Sequence, residues 1–145
     1  MQIEKRISYI KYVIRELSFK EYEGELREEL NVIDLELGYS QPKLSHIKDN
    51  NLAIIPLKFK LSSKEAFFLE CRLDVGFNAN DAGIKEINEF KNLVNDNKKY
   101  FTKYIQGAIN SIILDTTKNT AYSLNEIFEV PTFSYDMNKL SLIHI

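Results

Sequence analysis

Residues 66–77 read A-F-F-L-E-C-R-L-D-V-G-F. Phe67, Leu69, Cys71, Leu73, Val75 and Phe77 are apolar, and Ala66, Phe68, Glu70, Arg72, Asp74 and Gly76 lie between them. An apolar residue at every second position puts one dry face and one wet face on a long strand. Phe68 falls on the wet face beside Glu70. An aromatic ring next to charge on an open sheet face marks a candidate docking surface. Cys71 is the only cysteine, so no intrachain disulfide forms. Its place on the dry face makes it a small buried apolar group rather than a nucleophile.

Upstream, Leu52 to Leu61 alternates in the same way, with Ile55, Leu57, Phe59 and Leu61 on one side. The short turn Ser62-Ser63-Lys64 joins it to the 66–77 strand, which predicts a hairpin. Pro56 has no N–H for a ladder, so it predicts an edge position or a bulge. Leu30 to Tyr39 reads as a second strand with Ile33, Leu35, Leu37 and Tyr39 on one face. Ser40 to Asn51 reads as a turn. Ile7 to Tyr22, rich in β-branched and aromatic residues, reads as a first strand with apolar groups on both faces.

Downstream, residues 78–83 (N-A-N-D-A-G) break the pattern. Ile84 to Val94 predicts a short helix. Lys99 to Leu114 predicts a longer one, because Tyr100, Phe101, Tyr104, Ile105, Ala108, Ile109, Ile112 and Ile113 recur at three- and four-residue steps. That stripe is wide enough for a helix buried on two sides. Pro131 stops any helix beginning near Ser123. The order predicts one α+β domain over residues 1–145: a four-stranded antiparallel sheet with helices packed on one face.

A net charge of -2 over 145 residues argues against a nucleic-acid partner. Residues 1–6 lack the apolar core of a signal peptide, and the uncharged run from Tyr104 to Leu114 is too short to span a bilayer, so the expected place is the cytosol, with no direct membrane insertion. His46 and His144 have no ligand at metal spacing, and no glycine-rich phosphate loop is present, so no metal or cofactor is expected. The acidic pairs Glu28-Glu29, Asp34/Glu36 and Glu16/Glu70 read as solvated surface, and the chain does not read as an enzyme. What remains is surplus apolar surface: Ile10, Tyr12 and Ile14 on the first strand, Tyr22 and Leu26 in the charged connection, Phe68, and Phe128, Phe133 and Tyr135 in the tail. These residues either pack in a core or oligomer interface, or line a hydrophobic binding groove.

Several ordered strings resemble the SecB and SecB-like chaperone family. Arg15-Glu16-Leu17-Ser18-Phe19-Lys20 resembles the end of the family's first strand, and Val32 to Leu37 its second. Ala66-Phe67-Phe68-Leu69-Glu70 resembles its fourth strand, with Phe77 following glycine as is frequent there. Tyr104, Ile109 and Ser111 fit the first long helix, and Val130-Pro131-Thr132-Phe133 the proline-containing segment before the last helix. The resemblance spans Tyr9 to Asp136 and rests on order and spacing.

The resemblance implies a homotetramer, built as a dimer of dimers, that holds non-native polypeptides or preproteins in apolar grooves without ATP. It makes Phe19, Tyr22, Leu26, Phe68, Phe128 and Phe133 the client-binding candidates. In the export chaperone an acidic patch on the open sheet face docks the motor SecA. Glu16 and Glu70 match two of those acids, while Lys20 replaces the third. A reversed charge weakens such docking. The part after Pro131 leaves room for only a turn or two of helix, so the C-terminal helix region is shortened. A dedicated client such as an antitoxin is therefore as well supported as export. Two other readings remain: a non-chaperone oligomeric adaptor, and a hot-dog-like thioesterase.

Overall fold

The computed structural model describes residues 2–22, 33–47, 49–63, 66–120, 127–135 and the strand at 141–144. The chain runs α1 (Ile3–Arg6), β1 (Ser8–Glu21), β2 (Asp34–Tyr39), β3 (Lys43–Ile47), β4 (Asn50–Ser63), β5 (Phe67–Asn78), α2 (Ile87–Asp96), α3 (Lys98–Thr117) and β6 (Ser141–His144). The strands form one antiparallel sheet in the order β1-β5-β4-β2-β6, with β3 also paired to β4. The expected α+β class and the β4–β5 hairpin are present, with Ser62 opposite Phe68 and Ser63 opposite Phe67.

The strand at 66–77 behaves as its alternation requires. Phe67, Leu69, Cys71, Leu73, Val75 and Phe77 are all buried on the helix side of the sheet, and the residues between them are more open. Removing each of these large side chains from water stabilises the fold by roughly 1.5–3 kcal/mol. Across the gap α3 presents Phe101, Ile105, Ala108, Ile109, Ile112 and Ile113, all buried. Isoleucines are modest helix formers, so tertiary packing of this stripe, rather than intrinsic propensity, holds α3. Phe77 lies edge-on to Phe101 at 5.0 Å and to Tyr9 at 5.9 Å, which locks β1, β5 and α3 together.

Three local expectations are corrected. The stretch from Ser40 to Asn51 is not all turn. It contains β3, paired residue for residue with β4 from Lys43 opposite Ile54 to Ile47 opposite Asn50. Asp49, at φ 67°, makes the tight reversal, a left-handed conformation that aspartate tolerates better than most residues. Secondly, Pro56 is neither on an edge strand nor at a bulge. The β2 ladder along β4 ends at Tyr39 opposite Leu57, and the β3 ladder begins at Lys43 opposite Ile54. Pro56 stands in the gap between them, where Ser40 N–H donates to its carbonyl at 3.1 Å. Its missing N–H faces the same gap. Thirdly, Ser141–His144 is not the end of a short helix. It is a strand on β2, from Asp34 opposite His144 to Leu37 opposite Ser141, so among the described residues the sheet has six strands rather than the expected four.

The doubly apolar reading of β1 also has a structural cause. Its register against β5 shifts twice, between Tyr9 and Lys11 and between Ile14 and Glu16, leaving Ile10 and Arg15 as the extra residues. Each bulge reverses the parity of the strand. Tyr9, Tyr12, Ile14, Leu17 and Phe19 are thereby all paired with the buried residues of β5 and share their face.

Candidate functional site

The helix side of β1 divides along its length. Near its start, Tyr9 stacks on Tyr104 at 4.9 Å, and the Tyr12 hydroxyl lies 3.1 Å from Ser111 Oγ. Tyr100 donates its hydroxyl hydrogen to the Ile7 carbonyl at 2.8 Å, and burial pushes its pKa up to about 12. These contacts close the strand against α3. Further on the cover stops. Ile14 is 42% exposed and Leu17 is 45% exposed, although both point to the face on which Leu73 and Cys71 are buried. Phe19 is half-buried, tilted against Phe67 at 6.0 Å, and Tyr22 is exposed. Among the described residues β1 pairs only with β5, so this apolar strip runs along a sheet edge.

The opposite face of the sheet carries the residues expected to dock a partner. Glu16 is opposite Arg72, Ser18 opposite Glu70 and Lys20 opposite Phe68. The neighbouring first and fourth strands of the sequence reading are thus β1 and β5, and Glu16, Lys20, Phe68 and Glu70 share one surface. Its acids are matched by cations. Arg72 Nη1 donates to Glu16 Oε1 at 2.9 Å, Lys58 Nζ lies 2.7 Å from Glu70 Oε1, and Arg15 Nε donates to Asp74 Oδ2 at 2.8 Å. The Lys58 hydrogen bond holds the Glu70 carboxyl below the usual carboxylate range. Glu16, Leu17, Ser18, Glu70 and Arg72 line a shallow depression of about 490 Å³. Charge pairing makes this surface a balanced mosaic, without the one-signed field that steers a charged partner over distance.

The tail candidates have a different setting. Phe128 and Phe133 are fully buried in the core, so neither offers a side chain to solvent. They belong to an extended segment laid antiparallel along α3 and held through its backbone. Asn110 accepts from Phe128 N–H through Oδ1 at 2.7 Å, and its Nδ2 donates to the Phe128 carbonyl at 2.8 Å. Gln106 Oε1 accepts from Val130 N–H at 3.1 Å, and Thr102 Oγ1 from Phe133 N–H at 2.8 Å. Asn95 Oδ1, at the end of α2, accepts from Tyr135 N–H at 2.7 Å. Thr102, Gln106 and Asn110 recur every fourth residue, one polar line beside the apolar stripe. This line was missed in reading the sequence, although its spacing was visible there. Leu26 lies outside the described residues.

Cys71 is buried, and desolvation pushes its thiol up to about 11. Among the described residues, no three His, Cys, Asp or Glu side chains come together as a metal site. No helix among them is long and apolar enough to cross a membrane.

No protein-family model matches the chain, and no curated protein matches it in sequence. Among solved structures, it is similar to the Mycobacterium tuberculosis SecB-like chaperone Rv1957 in complex with a ChAD peptide from the Rv1956 HigA1 antitoxin. The two share 10% sequence identity and a TM-score of 0.49, over 90% of this chain and 93% of that chain.

Proposed function

We propose that this chain is an ATP-independent holdase of the SecB-like type, binding extended non-native polypeptide on the uncovered helix-side strip of β1. The observation that carries this reading is the exposure of Ile14 and Leu17 on the face on which Leu73 and Cys71 are dry, on a strand that among the described residues pairs along one edge only. An unfolded segment offers what that strip lacks: apolar side chains to cover it. Phe19 extends the same strip, and Tyr22 and Phe68 would add contacts on the other face. The order of the SecB-like strings in the sequence points the same way.

The backbone edge of β1 and its side-chain face can serve two partners at once. Side chains stand off the sheet, while N–H and C=O groups lie in its plane. A second copy could pair along the edge, antiparallel, as the resemblance implies for a dimer of dimers. An antitoxin or a preprotein would be a client of the same chemistry. Docking of SecA has less support, because Glu16 and Glu70 are each matched by a cation.

The test is light scattering of an aggregation-prone client diluted from denaturant. An equimolar amount of the chain should suppress the signal. The double variant Ile14→Asp/Leu17→Asp should lose most of that suppression while keeping its melting temperature, since both positions are open. Full aggregation in the presence of the unaltered chain would remove the holdase reading. An adaptor for one folded partner would behave in that way too, and binding to a peptide array then separates the two.

A further inference from the structure

The segment 127–135 is held in an unusual manner for a buried part of a fold. Its backbone is not in a sheet ladder. Four of its N–H groups, at Phe128, Val130, Phe133 and Tyr135, are received by side-chain oxygens of Asn110, Gln106, Thr102 and Asn95. At Phe128 the Asn110 amide both accepts and donates, as a neighbouring strand would. Pro131 falls between these anchoring points, where no N–H is required. The helix therefore reads the segment through groups that every polypeptide has. Side-chain selection comes from the apolar holes filled by Phe128, Val130 and Phe133 and from the aromatic setting of Tyr135, whose ring packs against Tyr39, Phe90 and Phe133. At its near end Ile127 is 76% exposed.

We propose that Thr102, Gln106 and Asn110 of α3, with Asn95 of α2, form a backbone-reading groove for extended polypeptide, occupied in the resting chain by its own residues 127–135. This inference rests on the holdase reading and adds a second binding site to it. The ligand class is an extended segment with two large apolar side chains five residues apart, a smaller one between them and an aromatic ring two residues further on. Exchange is feasible because each lost contact is remade. An incoming segment restores the four backbone hydrogen bonds and refills the same holes, so exposed apolar surface need not rise between the two end states. Self-occupation also keeps a sticky groove dry when no client is present.

The experiment uses the full chain and a fluorescein-labelled peptide of residues 127–135. Hydrogen exchange is followed at the amides of Phe128, Val130, Phe133 and Tyr135. Saturating peptide should speed their exchange several-fold and leave the β5 amides unchanged. Peptide binding with unchanged exchange at those four amides overturns the proposal and leaves the β1 strip standing as the client site. Absence of peptide binding overturns it as well. The scattering assay judges the holdase reading separately.

Two variants sharpen the result. Phe133→Leu weakens the resident segment but leaves the groove intact, and should tighten peptide binding several-fold. Asn110→Leu removes the clasp for any occupant and should abolish it. Equal or weaker binding by Phe133→Leu would show that the segment is ordinary core.

Discussion

Leu17 and Cys71 sit directly opposite one another on adjacent strands and point to the same face of one sheet, yet Leu17 is 45% exposed and Cys71 is 0% exposed. The next pair on that face, Ile14 and Leu73, differs in the same way. All four residues are apolar and occupy equivalent positions in their strands. What separates them is cover. β5 is paired on both edges and packs against α3 through Phe77, whereas among the described residues β1 has a neighbour on one edge, and it meets α3 at Tyr9 and Tyr12. Apolar alternation thus identifies a face, and the tertiary arrangement decides whether that face is core or binding surface.

The contrast can be broken most severely by truncation. Leu73→Ala should cost about 2–5 kcal/mol of stability in denaturant unfolding, the range for deleting a buried leucine. Ile14→Ala, across the ladder, should cost less than about 1 kcal/mol, as surface changes do. Equal losses would mean that β1 is covered in solution. A second probe moves the thiol across the same pair. Cys71 in the native chain should resist iodoacetamide at pH 8, because its pKa is raised to about 11 and its sulfur is buried. In the variant Cys71→Ala/Leu17→Cys the thiol should react on the order of a hundred times faster, a ratio set by access and by an ordinary thiol pKa. A slow reaction at position 17 would place something over the strip.

A smaller effect is expected on the outer face. Lys58 lowers the Glu70 pKa in the folded chain. The stabilisation is present above the unfolded carboxylate value and lost as the pH falls through the lowered folded value. The partners are partly exposed, so the loss should be slight and further weakened by salt. Lys58→Met should flatten that part of the stability–pH curve, and an unchanged curve would remove the pair from the energetics.

The parts of this fold legible in sequence were those whose burial is signalled locally. β5 carries its own alternation, α3 its own stripe, and the two adjacent alternating runs their hairpin, although Ser62 and Ser63, read as turn, belong to β4. β3 was not legible, because Lys43-Leu44-Ser45-His46-Ile47 has little strand signal and is extended by its pairing with β4. The strand at Ser141–His144 likewise depends on the edge of β2. The two bulges of β1 hid a single apolar face behind two reversals of parity. Of the candidate site, the shared surface of Glu16, Lys20, Phe68 and Glu70 followed from strand order. The cations Arg72 and Lys58 that match its acids did not, since they arrive from positions fixed by register. Phe128 and Phe133 drew notice as surplus aromatics, but their burial depends on the distant polar line of α3.

Pro56 has a bearing on alignment errors during folding. A one-residue slip of β2 along β4 turns Leu35 and Leu37 out to water, so hydrophobicity alone forbids it. A two-residue slip keeps every side chain on its proper face and escapes that penalty. Moving the pairing by two from Lys58 opposite Gly38 would set Pro56 opposite Gly38, whose carbonyl would then face a nitrogen with no hydrogen. In the native alignment Pro56 stands instead at the gap where one partner strand hands over to the next, opposite Ser40 beyond the end of β2. The proline therefore acts as a vernier mark against one of the two such slips, the one that would draw Pro56 into the β2 ladder.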